Sequence, residues 1–261
     1  MTTAAFFAFL LVAAATAASA APRGPERLIT KLPSWIKTCS RNDPNLNECI
    51  RQMIMETVRK SKDGIPELGA PASDPFLVRE MLLEYQQGDV EGKVLIKNSL
   101  VHGLSDVIVK DVRMNLNDGG KFRFEADVIF KRLLLEGEYK GQGKIITFPI
   151  DGKGVFNNSM TDVVGTFNVT GEYYQKAGRP FLKLTRFSFL PEVGTMKIYA
   201  SNLFAGNDEL NKAALAFANE FWPVLYKELL PYADEAWDKV MRNEANKVLA
   251  AIPFDVLFPD K

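Results

Sequence analysis

The chain has a single histidine, His102, with Ser105 and Asp106 close behind it, so a Ser-His-Asp triad is the first chemistry to test. Residues three or four apart on an extended segment do not converge on one reacting atom as a triad requires, and no G-x-S-x-G elbow occurs. A zinc site of ordinary composition cannot be assembled from one histidine and two cysteines. Gly152-Lys153-Gly154 is too short to cradle a phosphate, and G-x-x-x-x-G-K-[ST] is absent. The carboxylates alternate with apolar residues in extended segments, the pattern of solvated strand faces. These residues read as a non-enzymatic protein with no metal and no cofactor.

Cys39 and Cys49 are the only cysteines. Residues 1–22 carry no charged side chain, Ala4 to Ala15 are apolar, and Ala18-Ser19-Ala20 has the small-x-small pattern of a signal-peptidase site. A leader over residues 1–20 followed by one domain over 21–261 is therefore expected. In the oxidising compartment this implies, the pair should bridge, constraining the unfolded chain by about 3 kcal/mol. Secretion would also expose two glycosylation sequons, at Asn157 and Asn168. Lysine plus arginine balances aspartate plus glutamate at 32 each, so no net field draws nucleic acid. No later stretch is long and apolar enough for stable membrane insertion.

What must position these residues is a sheet and a rod. Asp43 and Pro44 can open a short helix whose apolar face is Leu46, Cys49, Ile50, Met53, Ile54 and Val58, with Gly64 as its stop. A crossing rich in proline follows to Pro75. From Phe76 to Phe204 the chain alternates: Phe122, Phe124, Ala126, Val128 and Phe130 share one face, after the hairpin signal Asn117-Asp118-Gly119-Gly120. About eight antiparallel strands are expected, with glycines at 92, 137, 141, 143, 165 and 171 allowing strong curvature.

From Asn207 to Ile252 the period becomes helical, with an apolar stripe through Leu210, Phe217, Phe221, Val224, Leu229, Trp237, Val240 and Val248. Asn207 should cap it, and Pro223 and Pro231 should kink it or divide it near Pro231. The apolar tail from Ile252 to Pro259 should pack outside the sheet. The fold expected is α+β: a long C-terminal helix wrapped by a strongly curved antiparallel sheet, an internal apolar tunnel, and a short N-terminal helix held by the disulfide. Eighteen phenylalanines exceed what a thin sheet-on-helix layer needs. Phe122, Phe124, Val128, Phe130, Phe148, Phe167, Phe217 and Phe221 are accordingly the candidate ligand lining.

Four features in this order resemble the insect Takeout and juvenile-hormone-binding protein family. They are Cys39-x9-Cys49, the run Gly64-Ile65-Pro66-Glu67-Leu68-Gly69 through Asp74-Pro75, Asn202-Leu203-Phe204-x-Gly206 before the helix, and the closing Ile252-Pro253 to Leu257-Phe258-Pro259. One cysteine pair is similar to the Takeout branch, whereas Ala70 and Ser73 are smaller than that loop's usual residues. The resemblance implies a tunnel for a lipophilic ligand and secretion into haemolymph or sensory fluid. In some members it also implies links to circadian output, feeding or courtship. The reading is a secreted carrier of an extended hydrophobic small molecule, a terpenoid such as juvenile hormone or a long-chain lipid. The alternative is a secreted signalling protein that meets a receptor through its outer surface, and a lipid esterase ranks third.

Overall fold

The computed structural model describes residues 28–87, 90–145 and 148–260, so the expected leader lies outside the described residues. Among these residues seven strands form one sheet, all paired antiparallel: β1 (Phe76–Gln87), β2 (Val90–His102), β3 (Ile108–Asp118), β4 (Lys121–Ile145), β5 (Phe148–Lys176), β6 (Arg179–Phe189) and β7 (Glu192–Ala200). The count falls below the expected eight because β4 and β5 run unbroken for 25 and 29 residues. They pair along their whole length, and each divides its other edge between two shorter strands. β3 and β2 share the outer edge of β4, while β6 and β7 share that of β5. The Gly119 and Gly120 turn joining β3 to β4 has positive φ at both glycines, as its sequence requires.

Inward-facing parity changes midway along the central hairpin. Phe122, Phe124, Ala126, Val128 and Phe130 are buried in the first half of β4, whereas Leu133 and Tyr139 are buried in the second. Across from this change Asp162 of β5 adopts φ +53. The glycines beyond it let backbone approach closely. A Cβ on Gly143 would lie 2.3 Å from the Glu91 carbonyl, and one on Gly154 would lie 2.3 Å from that of Ser201.

Among the described residues the α-helices are α1 (Leu46–Lys60), α2 (Asp208–Glu220), α3 (Trp222–Leu249) and α4 (Phe254–Leu257). In α1 the apolar face packs inward as its spacing dictates, with Ile50, Met53, Ile54 and Val58 buried, and Cys39 and Cys49 are bridged. Asp43 does not cap it. The Asp43 carboxylate accepts from Asn45 N–H one turn earlier, at 2.8 Å, and the helix starts at Leu46. Asn207 caps α2 as expected, accepting from Leu210 N–H at 2.9 Å.

The long helix divides at Phe221, not near Pro231. Pro223 falls in the first turn of α3, where its missing N–H has no intrahelical partner to lose, while α3 continues unbroken through Pro231. The closing tail is likewise inside the sheet, not outside. Phe254, Val256, Leu257 and Phe258 are buried, with the Phe258 ring 6.4 Å from that of inward-facing Phe122. Four large apolar side chains in five residues bury too much hydrocarbon to remain on a wet face.

Helix α3 lies between the two outer edges of the curled sheet, packing on β6 and on β1. Its contact with β6 is polar. Asp234 accepts from Phe189 N–H at 2.8 Å, Asp238 from Phe187 N–H at 2.7 Å, and Asn246 from Leu184 N–H at 2.8 Å while donating to the Leu184 carbonyl at 3.1 Å. A four-residue helical step advances about 6 Å and a two-residue strand step about 6.7 Å, so one stripe of α3 keeps pace with the outward N–H groups of β6. On the opposite edge, Tyr232 of α3 meets Tyr85 of β1 at 4.9 Å between ring centroids. The helix takes the place a closing strand would occupy and satisfies an edge that would otherwise be unpaired.

Candidate functional site

The interior of the curled sheet has two halves. At the disulfide end, β3, β6 and the adjoining halves of β4 and β5 enclose a solid aromatic core. Phe122, Phe124, Val128, Phe130 and Phe167, five of the candidate lining residues, are buried there against α1, α3 and α4. Their rings are tightly packed: Phe167 stacks on Phe189 at 4.1 Å, and Phe130 meets Phe167 edge-on at 6.4 Å. The Phe148 side chain is outside the described residues.

Toward the far end the inner face stays apolar but is less completely covered. Three tiers of cross-strand neighbours define it: Met160 with Leu133 and Met196, Asn158 with Leu135 and Ile198, and Phe156 with Gly137 and Ala200. Leu133, Met196 and Ala200 are buried, whereas Leu135, Phe156, Met160 and Ile198 are half-buried, as are Leu83 and Ile96 on the same face of β1 and β2. Tyr139 closes over Gly141 and donates to the Ser201 carbonyl at 2.8 Å, and burial raises its pKa. The connection from β7 to α2 crosses here, over Gly152 and Gly154.

Helix α2 is held to the β7 edge by Asn219, whose amide accepts from Ile198 N–H at 2.9 Å and donates to the Ile198 carbonyl at 2.8 Å. Phe217 and Phe221 lie two residues either side of it, about 160° around the helix, and so point away from β7. They contact each other at 4.8 Å and are 55% and 44% exposed, with Leu210 and Val224 exposed on the same face. The expected apolar stripe is therefore real in spacing but uncovered in its first half. Tyr226 anchors the start of α3 by donating to the Pro191 carbonyl at 2.8 Å, and burial pushes its pKa up to about 12.

Among the described residues, His102 and Ser105 bond to different carboxylates and not to each other. His102 ends β2 on the wet face, with Nε2 3.1 Å from Glu136, and Ser105 donates instead to Asp74 at 2.5 Å. Asn157, beside Glu136 and Tyr199, and Asn168, beside Glu125 and Ser188, share the outer face of the sheet. What the sequence did not disclose is the burial of Asp234 and Asp238, at 5% and 2% exposure, as partners of Arg186, Arg242 and the β6 edge. Their four-residue spacing along a helix was the available signal. Among the described residues no group of histidine, cysteine or carboxylate side chains is arranged to hold a metal, and no helix is long and apolar enough to cross a membrane.

The family model described as haemolymph juvenile hormone binding protein matches residues 9–259, almost the whole chain. The chain belongs to that family. It is 25% identical over 227 residues to a putative beta-carotene-binding protein of Schistocerca gregaria, covering 87% of this chain and 89% of that protein. Takeout 1 of Epiphyas postvittana has a similar fold, with a TM-score of 0.65 and 19% identity over 85% of this chain and 99% of that one. Both names in the resemblance thus recur in the comparisons. Family membership makes this chain one of a group named for binding a hydrophobic small molecule.

Proposed function

We propose that this member of the family is a secreted, non-enzymatic carrier that holds an extended hydrophobic small molecule, a terpenoid or long-chain lipid, between the curled sheet and the helical rod. The observation that carries this reading is the half-buried apolar inner face at the far end. Leu83, Ile96, Leu135, Phe156, Met160 and Ile198 face inward yet keep accessible surface, in contrast to the sealed core at the disulfide end. Phe130 and Phe167 stand where the two halves meet and would form the inner end of the site, with Phe122, Phe124 and Val128 beneath them. Phe217 and Phe221 flank its open side. Covering about 400 Å² of ligand hydrocarbon at roughly 25 cal/mol per Å² supplies about 10 kcal/mol before association costs.

Secretion is supported by the Cys39–Cys49 bridge and by the family description, which names the haemolymph. The sequons at Asn157 and Asn168 occupy the outer face, so sugars there would leave the interior clear. The test is native mass spectrometry of secreted protein followed by organic extraction, together with titration of a fluorescent fatty acid and a fluorescent terpenoid. A co-purifying lipophile, or saturable uptake of either probe at one site, is expected. An empty protein that takes up neither overturns the proposal.

A further inference from the structure

Among the described residues of the far-end wall, Asn158 is a polar side chain whose acceptor is left without a partner. Asn158 shares its face with Phe156 and Met160 along β5 and lies in register with Leu135 on one side and Ile198 on the other, none of which carries a side-chain hydrogen-bonding group able to meet it. Its amide oxygen is buried and accepts no hydrogen bond. The sequon partner Asn157 turns the opposite way, beside Glu136 and Tyr199, so the two asparagines serve different faces. A buried carbonyl without a donor is destabilising, and leucine at the same position would remove that penalty and fill the same wall. From this placement we infer that Asn158 is a specificity-determining ligand contact: the molecule carried is an apolar chain bearing a hydroxyl or protonated carboxyl group, which donates to the Asn158 amide oxygen.

This inference rests on the carrier reading and narrows its ligand class. A wholly apolar wall prefers an ether to the corresponding alcohol, because burying a hydroxyl without a partner costs more than burying a capped oxygen. An acceptor in the wall reverses that order. The net value of a hydrogen bond predicts a reversal of about three- to tenfold in affinity.

The experiment titrates the full secreted chain with farnesol and farnesyl methyl ether, and with hexadecanol and hexadecyl methyl ether, by displacement of a fluorescent fatty acid. The wild-type protein is expected to bind each alcohol more tightly than its ether, and Asn158→Leu to bind the ethers at least as tightly as wild type while losing the preference. A wild-type protein that favours the ethers, or an alcohol preference unchanged in Asn158→Leu, overturns the inference and leaves the carrier reading intact. Failure of wild type to bind any of the four, with no displacement of the fluorescent acid, overturns both. If Asn158→Leu does not fold, Asn158→Ala, which also removes the acceptor, is read by the same alcohol-to-ether ratio.

Discussion

Replacing Asp238 tests whether α3 acts as the closing element of the sheet. The Asp238 carboxylate is 2% exposed and receives Phe187 N–H at 2.7 Å, Arg242 Nε at 2.8 Å and the Arg186 guanidinium at 3.3 Å. Asp238→Ala removes the acceptor for a strand-edge N–H and leaves two guanidinium groups without this partner. Removing the acceptor of a buried N–H costs about 1–3 kcal/mol, and losing the ion pairs to Arg186 and Arg242, guanidinium groups that are themselves about a third exposed, adds about 1 kcal/mol. Asp238→Asn keeps an acceptor for Phe187 but not the charge, so its cost should be about half as large. Urea unfolding followed by tryptophan fluorescence reads the difference, since Trp237 adjoins the substituted position on α3. The expected order is wild type, then Asp238→Asn, then Asp238→Ala, with the last about 2–4 kcal/mol less stable. A loss below about 1 kcal/mol for Asp238→Ala would mean that α3 is held by apolar packing alone, and the edge-closing argument would fail.

Gly154→Ala puts a Cβ 2.3 Å from the Ser201 carbonyl and should cost about 1–3 kcal/mol in urea unfolding, whereas Gly141→Ala, with nothing nearer than 3.7 Å, should lie within about 0.5 kcal/mol of wild type. Phe124→Ala, in the sealed core, should cost about 3–5 kcal/mol. Phe221→Ala, on a half-exposed ring, should change stability little but weaken uptake of a fluorescent lipid. On the wet face, hydrogen bonds from Arg113 and then Thr166 hold the Asp127 carboxyl down at about 2. Because that folded-state value is depressed, its stabilisation is complete above the unfolded carboxylate range near pH 4 and is lost as pH falls toward 2. Arg113→Gln should therefore flatten the acid limb of the stability curve across that window, measured by urea midpoint against pH. Peptide mapping of the secreted protein should find glycan on Asn157 and Asn168 and none on Asn158.

Much of the fold was legible because alternation and helical spacing report which residues share a face. Phe122 to Phe130, the α1 face, the Asn207 cap and the Gly119-Gly120 turn were all local patterns, and the structure keeps them. The family followed from short motifs whose order along the chain carries the information. Periodicity does not say what covers a face, however. Phe217 and Val224 have the same three- and four-residue spacing as Val240 and Val248, yet the first pair is exposed and the second packs into the core, because only the latter half of the rod meets both β1 and β6. Nothing in the sequence around Asp234 and Asp238 says that the β6 edge comes alongside them. Asn158 looked like half of a sequon until β4 and β7 placed it in an apolar wall. The sequence determined the elements and their faces through local sterics and hydrophobic pattern. Only the tertiary structure decided which polar groups are buried and which apolar ones remain open, since both depend on pairing between residues tens of positions apart.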